Sequence, residues 1–309
     1  MRFFLSLFSV IFTFILLEIF VRFFINDGMN YEIEMMKYAK DLKVISKNKK
    51  IGIEHKKNIE GTYMGAKVIL DENGFRIKNN KKKSNNKIIM LGDSMTFGWG
   101  ANETFSDLLN EKLRNHEILN AGIGNTNTIM QISNFFENFS NKYNYDMIVL
   151  NFFINDFESV IINKPNFLQK YSYFYTFLNN KLNTVFIKFK IKEDWEKFYS
   201  KNYSNKEIRE ETLNLINKLN KYCLKNNIKF VIHNIPELRD LDDYKFKKET
   251  LIIKDFATKN NIIFIDSHDA LKMYNEESLW VTKLDPHAND KAHEIISNYL
   301  YKNIKKILN

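Results

Sequence analysis

The stretch 87–100, KIIMLGDSMTFGWG, constrains the possible folds of this chain more than any other. Its opening run, residues 88–91, is apolar at every position, as in a strand covered on both faces. Gly92-Asp93-Ser94 then turns the chain, and a helix-compatible segment begins soon after Gly98 and Gly100. In open α/β sheets, ligands bind beyond the carboxyl ends of the parallel strands. Ser94 falls at that edge, and its backbone N–H points out of the turn, where it can help bind an oxyanion.

The rest of the chain repeats the alternation. Apolar strands are expected at 117–120, 147–152, 228–232 and 262–265. Apolar residues at helical spacing mark 103–114, 129–139, 205–226, 245–260 and 289–307. The expected fold is α/β, a flavodoxin-like three-layer α/β/α domain over 86–309 with a five-stranded parallel sheet. An aromatic-rich insertion at 157–204 breaks the pattern. It follows the 147–152 strand and its loop directly, so it should emerge beside the site. It reads either as a lid or platform for sugar rings or an acyl chain, or as a local helical subdomain with a small core of its own. The second reading accounts for most of the aromatics, while position makes the insertion a candidate for setting specificity.

Residues 3–25 are almost all apolar and long enough to cross a bilayer. Glu18 and Arg22, four apart, can pair on one helical face. A cleaved signal peptide would have a shorter apolar region followed by a small-residue cleavage site, so residues 1–26 read as an uncleaved transmembrane anchor. Arg2 favours an inside N-terminus, whereas Lys37, Lys40 and Lys43 argue the other way. Residues 27–85 read as a stalk and an edge segment, with Asn73-Gly74 as a tight turn between short extended pieces packed on the sheet's edge. Arg76 is expected in a surface ion pair rather than in the site.

The chain has 309 residues and a net charge of +9, mostly from lysines scattered among asparagines and clustered at 47–50 and 81–83. No basic helix with interleaved aromatics is apparent, so a solvated surface is expected and nucleic acid is not an expected partner. Cys223, the single cysteine, excludes an intrachain disulfide and a cysteine metal cluster. It falls in a helical apolar pattern and reads as buried filler. Gly122-Ile123-Gly124 lacks the third glycine of a dinucleotide loop, and no zinc-ligand spacing or phosphate loop is present. No metal or cofactor is expected.

A serine hydroxyl needs a base that titrates near neutrality, which points to histidine. Of six histidines, His55 lies in the stalk segment, and His116 and His293 read as structural. His233 and His268 follow strands at the same edge as Ser94 and stay open as bases. His287 is preferred because Pro286 biases Asp285 toward extended chain, where positions i and i+2 share a side. A carboxylate can then orient the imidazole Nδ1–H.

Gly92-Asp93-Ser94 after an apolar strand resembles the first block of the SGNH (GDSL-type) hydrolases. Further blocks follow in the family's order: Gly122 in Asn120-Ala121-Gly122-Ile123-Gly124, Asn155 in Phe153-Ile154-Asn155-Asp156, and Asp285 and His287 in Leu284-Asp285-Pro286-His287-Ala288-Asn289. Asn73-Gly74-Phe75-Arg76 also resembles a phrase found ahead of the first block in membrane-anchored relatives. The resemblance covers residues 60–309. It implies a serine esterase with Ser94, Asp285 and His287 catalytic, and an oxyanion hole from the Ser94 and Gly122 N–H groups and the Asn155 amide. Phe153 stands where the family usually has glycine. The implied substrate is an O-acyl ester, acetyl foremost, on a glycan or lipid-linked sugar. The implied location is membrane-anchored with an extracytoplasmic (periplasmic) domain. Two alternatives stay open: an O-acyltransferase acting on a cell-surface polysaccharide through the same residues, and a non-catalytic glycan-binding protein on the same fold.

Overall fold

The computed structural model describes residues 2–78, 83–159, 162, 164–189, 191 and 194–309. Helix α1 (Arg2–Phe20) continues through a π-helical turn, Val21–Ile25, and is followed by α2 (Tyr31–Leu42). Five short strands come next: β1 (Lys43–Ile45), β2 (Ile53–His55), β3 (Ile59–Tyr63), β4 (Ala66–Leu70) and β5 (Arg76–Ile77). The alternating part opens with β6 (Lys87–Leu91), α3 (Ser94–Phe97), α4 (Phe105–Lys112), β7 (Glu117–Asn120), α5 (Thr128–Asn134) and β8 (Tyr145–Phe152). The insertion holds α6 (Phe167–Tyr171), α7 (Tyr173–Lys188) and α8 (Trp195–Ser204). The chain closes with α9 (Lys206–Lys225), β9 (Lys229–Asn234), α10 (Lys247–Lys259), β10 (Ile263–Asp266), α11 (His268–Leu271), β11 (Trp280–Thr282), β12 (Asp285–Ala288) and α12 (Asp290–Leu308).

The parallel strands lie in the order β10-β9-β8-β6-β7, the flavodoxin order. The winding reverses between β6 and β8, which pair from Ile88↔Met147 to Leu91↔Leu150. The carboxyl ends of these two strands therefore flank the topological switch point, where such sheets bind ligands. Successive β6 residues point to opposite faces. Ile89 and Leu91 join one core with Ile132 and Phe135 of the α5 segment and Leu219 and Cys223 of α9. Ile88 and Met90 join the other with Phe105 of α4 and Ile296 and Leu300 of α12. Cys223 is buried, and burial pushes its thiol up to about 12.

The sheet is wider than expected. Among the described residues it has eight strands, because β5, β4 and β3 extend the β7 edge in antiparallel pairing. An apolar β7 left open would be an unpaired edge, and Arg76↔Asn120 closes it. Asn73-Gly74 does lie in the turn between β4 and β5. A second tight turn, Met64-Gly65, joins β3 to β4 with both residues at positive φ, 48° and 73°.

Two expectations for this region are corrected. The segment after residue 26 is not an extended stalk. Asn30 caps α2 by accepting from the Ile33 N–H, and Ile33, Tyr38 and Leu42 are fully buried. Tyr38 and Leu42 share a core with Tyr63, Leu70, Phe97 and Trp99. Five residues, 26–30, separate the apolar N-terminal segment from this packed helix. Among the described residues Arg76 makes no ion pair. It is buried and donates to the carbonyls of Phe97 at 3.0 Å, Gly98 at 2.5 Å and Ala101 at 2.5 Å, tying down the turn that follows α3.

Among the described residues the insertion forms no core cluster of its own. α6 and α7 bury no residue, whereas Trp195 and Tyr199 of α8 pack on the main core and Tyr203 is buried against Phe157. At the N-terminus, Arg2–Ile25 is long and apolar enough to cross a membrane; its most apolar 18-residue window has a mean hydropathy of 2.5 and is almost unburied. Glu18 and Arg22 pair at 2.6 Å. Lys81 and Lys82 of the lysine cluster lie outside the described residues, and Lys83 is exposed.

Candidate active site

The turn out of β6 is closed by its own side chains. Asp93 caps α3, its Oδ1 accepting from the Met95 N–H at 2.9 Å, and Ser94 is the first helical residue. The Ser94 N–H is thus one of the donors a helix N-terminus leaves free. Ser94 Oγ lies 2.9 Å from His287 Nε2, and His287 Nδ1 lies 2.5 Å from Asp285 Oδ1. Asp285 and His287 are both on β12, so the extended i, i+2 relation expected from the sequence is present. A ring nitrogen facing a carboxylate carries the proton, which leaves the Nε2 lone pair toward the serine hydroxyl. Burial opposes a charged imidazolium, but the Asp285 charge and hydrogen bond outweigh it and raise the His287 pKa above its usual 6.5. Burial likewise raises Asp285, but His287 and three hydrogen bonds outweigh it and hold that carboxyl below its usual 3.8.

Asn155 reaches the same turn. Its Nδ2 donates to Asp93 Oδ2 at 2.9 Å, and the side chain lines the cavity in front of Ser94. An amide nitrogen carries two protons, so one remains for a ligand. Phe153, in the family's glycine position, has φ −125° and ψ 163°, an extended conformation open to any residue. Asp156 is fully buried and braces this loop, accepting from the Phe153 N–H at 2.6 Å and Gln131 Nε2 at 3.0 Å.

Gly122 is not brought to the cavity. Its N–H donates to Asn120 Oδ1 at 3.0 Å, and a Cβ there would fall 2.3 Å from the Phe97 nitrogen. Its lack of a side chain lets β7's exit pass beneath α3. The residues of this block that stand beside Ser94 are Gly124, whose Cβ position is 3.6 Å from Ser94 Cβ, and Asn125, which lines the cavity. Tyr38 and Lys43 hold that loop: Gly124 N–H donates to the Tyr38 hydroxyl at 3.0 Å, and Lys43 Nζ donates to the Gly124 carbonyl at 2.6 Å.

The rival histidines sit elsewhere. His233 is buried between Asn151 and Ser267, and burial lowers its pKa to about 3. His268 contacts the Leu241 carbonyl at 2.8 Å. His293 accepts from the Phe105 N–H inside the α4–α12 core. His55 is buried against Tyr38 and the Gly74 carbonyl.

Several site residues escaped the sequence reading. Trp99 Nε1–H donates to Asp285 Oδ2 at 3.0 Å, opposite the oxygen that faces His287. Tyr31, from α2, stacks on the His287 ring at 5.8 Å and 26°. Its signal was readable as an Asn30 cap ahead of Ile33, Tyr38 and Leu42 at near-helical spacing. The cavity holds about 180 Å³, and Glu158, Tyr199, Glu237 and Arg239 also line it. Arg239 pairs with Glu237 at 2.8 Å and lies 3.5 Å over the Trp195 ring. Burial pushes the Glu158 carboxyl up to about 7. A larger cavity of about 650 Å³ at the β5–β7 edge contains none of the Ser94 cluster.

No family model matches the chain, and no curated protein matches its sequence. Among solved structures, it is similar to an acetyl xylan esterase, at 18% identity and a TM-score of 0.45 over 71% of this chain and 99% of that one. It is similar to the acetylxylan esterase Axe2 of Geobacillus stearothermophilus, at 14% and 0.46 over 73% and 96%. A putative lipolytic protein of the G-D-S-L family from Desulfitobacterium hafniense DCB-2 matches at 15% and 0.43 over 70% and 98%. Likeness this distant assigns no activity.

Proposed function

We propose that this chain is a membrane-anchored serine esterase of the SGNH type, acting on an O-acyl ester, acetyl foremost. The observation that carries the reading is the unbroken contact from Ser94 Oγ through His287 to Asp285 at the sheet's switch point. His287 Nε2 takes the Ser94 proton as Oγ bonds to the ester carbonyl carbon. The negative oxygen of the tetrahedral intermediate is met by the Ser94 N–H and the second Asn155 Nδ2 proton. The intermediate then expels the alcohol, which leaves with the proton from His287. Water, giving a proton to His287, adds to the acyl-serine; the Oγ–acyl bond then breaks, Ser94 Oγ regains the proton from His287, and the acid is released. Asp285 keeps the imidazole oriented and offsets its charge throughout. Gly122 has no part in this scheme.

A cavity of about 180 Å³ suits a short acyl chain. Its polar wall, Glu158 and the Glu237–Arg239 pair, offers acceptors and donors to a hydroxyl-rich alcohol such as a sugar. The same wall supports a second reading, O-acyl transfer, in which a sugar hydroxyl replaces water. Supplying an acyl donor together with a sugar and looking for acylated sugar separates the two. Arg2–Ile25 serves as the anchor, with the catalytic domain on the extracytoplasmic side.

The test is p-nitrophenyl acetate hydrolysis by the full chain in detergent beside Ser94→Ala. Turnover should fall by at least about 1000-fold in the variant, together with loss of labelling by a fluorophosphonate. A folded wild-type protein that neither turns over nor labels would sink the esterase reading.

A further inference from the structure

Helix α7 carries apolar side chains on a side that no other element covers. On the side turned to α2, Thr176 Oγ1 meets Met36 Sδ, and Asn180 Nδ2 donates to Glu32 at 2.9 Å. Leu178, Leu182, Val185, Phe186 and Phe189 are exposed. On a helix of 3.6 residues per turn Leu178, Leu182, Val185 and Phe186, with Phe189 just past the helix end, form one stripe opposite Thr176 and Asn180, while the exposed Ile187 lies on the side of those two. A helix of a soluble protein turns such a stripe inward. Lys181 and Lys188 flank it, as long cations do where an apolar boundary meets water.

The contacts of α7 with the N-terminal helix give its height. Glu18 caps α7, accepting from Ser172 Oγ at 2.7 Å and from the Tyr173 and Phe174 N–H groups at 2.9 and 3.0 Å. Arg22 lies 4.1 Å over the Tyr173 ring, and Phe14 meets Phe174 edge-on at 5.8 Å. Glu18 precedes the end of the apolar segment at Ile25 by two helical turns, about 10 Å along the axis. A helix lying in a bilayer interface buries its apolar face by about 5–10 Å.

Resting on the anchor reading above, we propose that α7 is a second membrane contact, lying in the surface layer of a phospholipid bilayer beside α1 with its Leu178–Phe189 stripe toward the acyl chains. The bilayer is the occupant because the stripe continues the exposed apolar surface of α1 across the Phe14–Phe174 contact. α6 adds exposed Phe167 and Leu168 to the same unit. The domain is thereby held at two points rather than swinging from one.

The test uses the full chain in phosphatidylethanolamine–phosphatidylglycerol vesicles, with an environment-sensitive fluorophore on Leu182→Cys or Phe186→Cys. Cys223 is buried and does not compete for the label. Leu16→Cys on α1 and Glu294→Cys on α12 give the inside and outside references. Nitroxide-bearing lipid should quench at positions 16, 182 and 186 and leave position 294 bright. Quenching at 16 without 182 and 186 overturns the proposal while the anchor stands. Disulfide crosslinking of Leu182→Cys between copies, without quenching, overturns it in favour of a second copy on the stripe. No quenching at 16 removes the anchor, and the proposal with it. The esterase reading is scored separately on the same samples by p-nitrophenyl acetate.

Discussion

Helices α3 and α7 are opposites. α3 has four residues, all buried, and α7 has sixteen, none buried. α3 is fixed from every side: Asp93 at its start, Arg76 on its last carbonyls, Tyr38 stacked on Phe97 at 5.0 Å. α7 is held at its first turn by Glu18, Arg22 and Phe14, and along one side by α2. The contrast separates two demands on one chain. Bond-making needs atoms placed to a fraction of an ångström, which dense packing supplies. Contact with a fluid boundary needs apolar area and tolerates imprecision.

If this division is real, substitutions near α3 should cost turnover and those on α7 should not. Asn155→Ala carries the largest expected effect among these tests. Loss of an oxyanion donor lowers kcat by roughly 100- to 1000-fold, measured on p-nitrophenyl acetate with the far-ultraviolet spectrum unchanged. A loss under about threefold would remove Asn155 from the oxyanion scheme.

Trp99→Phe is intermediate. It deletes one hydrogen bond to a buried carboxylate, a loss of about tenfold in turnover. Its diagnostic is the pH profile. The base must be neutral to act, and the His287 pKa is raised above 6.5, so wild-type kcat/KM should rise with pH through a midpoint above 6.5. Without the indole donor, Asp285 holds more charge toward His287 and the rising limb should move to higher pH. A lower rate with an unmoved limb would make Trp99 a packing residue alone.

The smallest effect is expected on the other side of the comparison. Leu182→Asp combined with Phe186→Asp should leave p-nitrophenyl acetate turnover in detergent within about twofold. A larger loss would mean that α7 supports the site through the fold, and the division between the two helices would fail.

The sequence was most legible where function depends on near neighbours. Asp285, Pro286 and His287 carry their geometry locally, because extended backbone places i and i+2 together. The strand-turn-helix at Ser94 is equally local, and so are the five parallel strands. Gly122 misled because the direction of its N–H is decided by the Asn120 side chain, which spacing does not reveal. Trp99 meets a carboxylate 186 positions away, a pairing that no window on the chain contains. Arg76 shows the same limit: a lone arginine reads as half of a surface ion pair, yet its five donors suit a ring of backbone carbonyls. α2 was hidden by its lysines and glutamates, although its cap and apolar spacing were present.

The short link at residues 26–30 has a kinetic meaning. Five residues span at most about 18 Å when fully extended, and Tyr31, the next residue, already touches His287. With α1 in a bilayer, the reacting serine is confined to a thin shell above the lipid. Encounters then follow the areal density of acyl groups in that shell rather than their bulk molarity. A domain so anchored would search by lateral diffusion rather than in three dimensions. Diluting the surrounding solution should leave the turnover of a surface-borne ester unchanged, and diluting that ester with inert lipid should lower it.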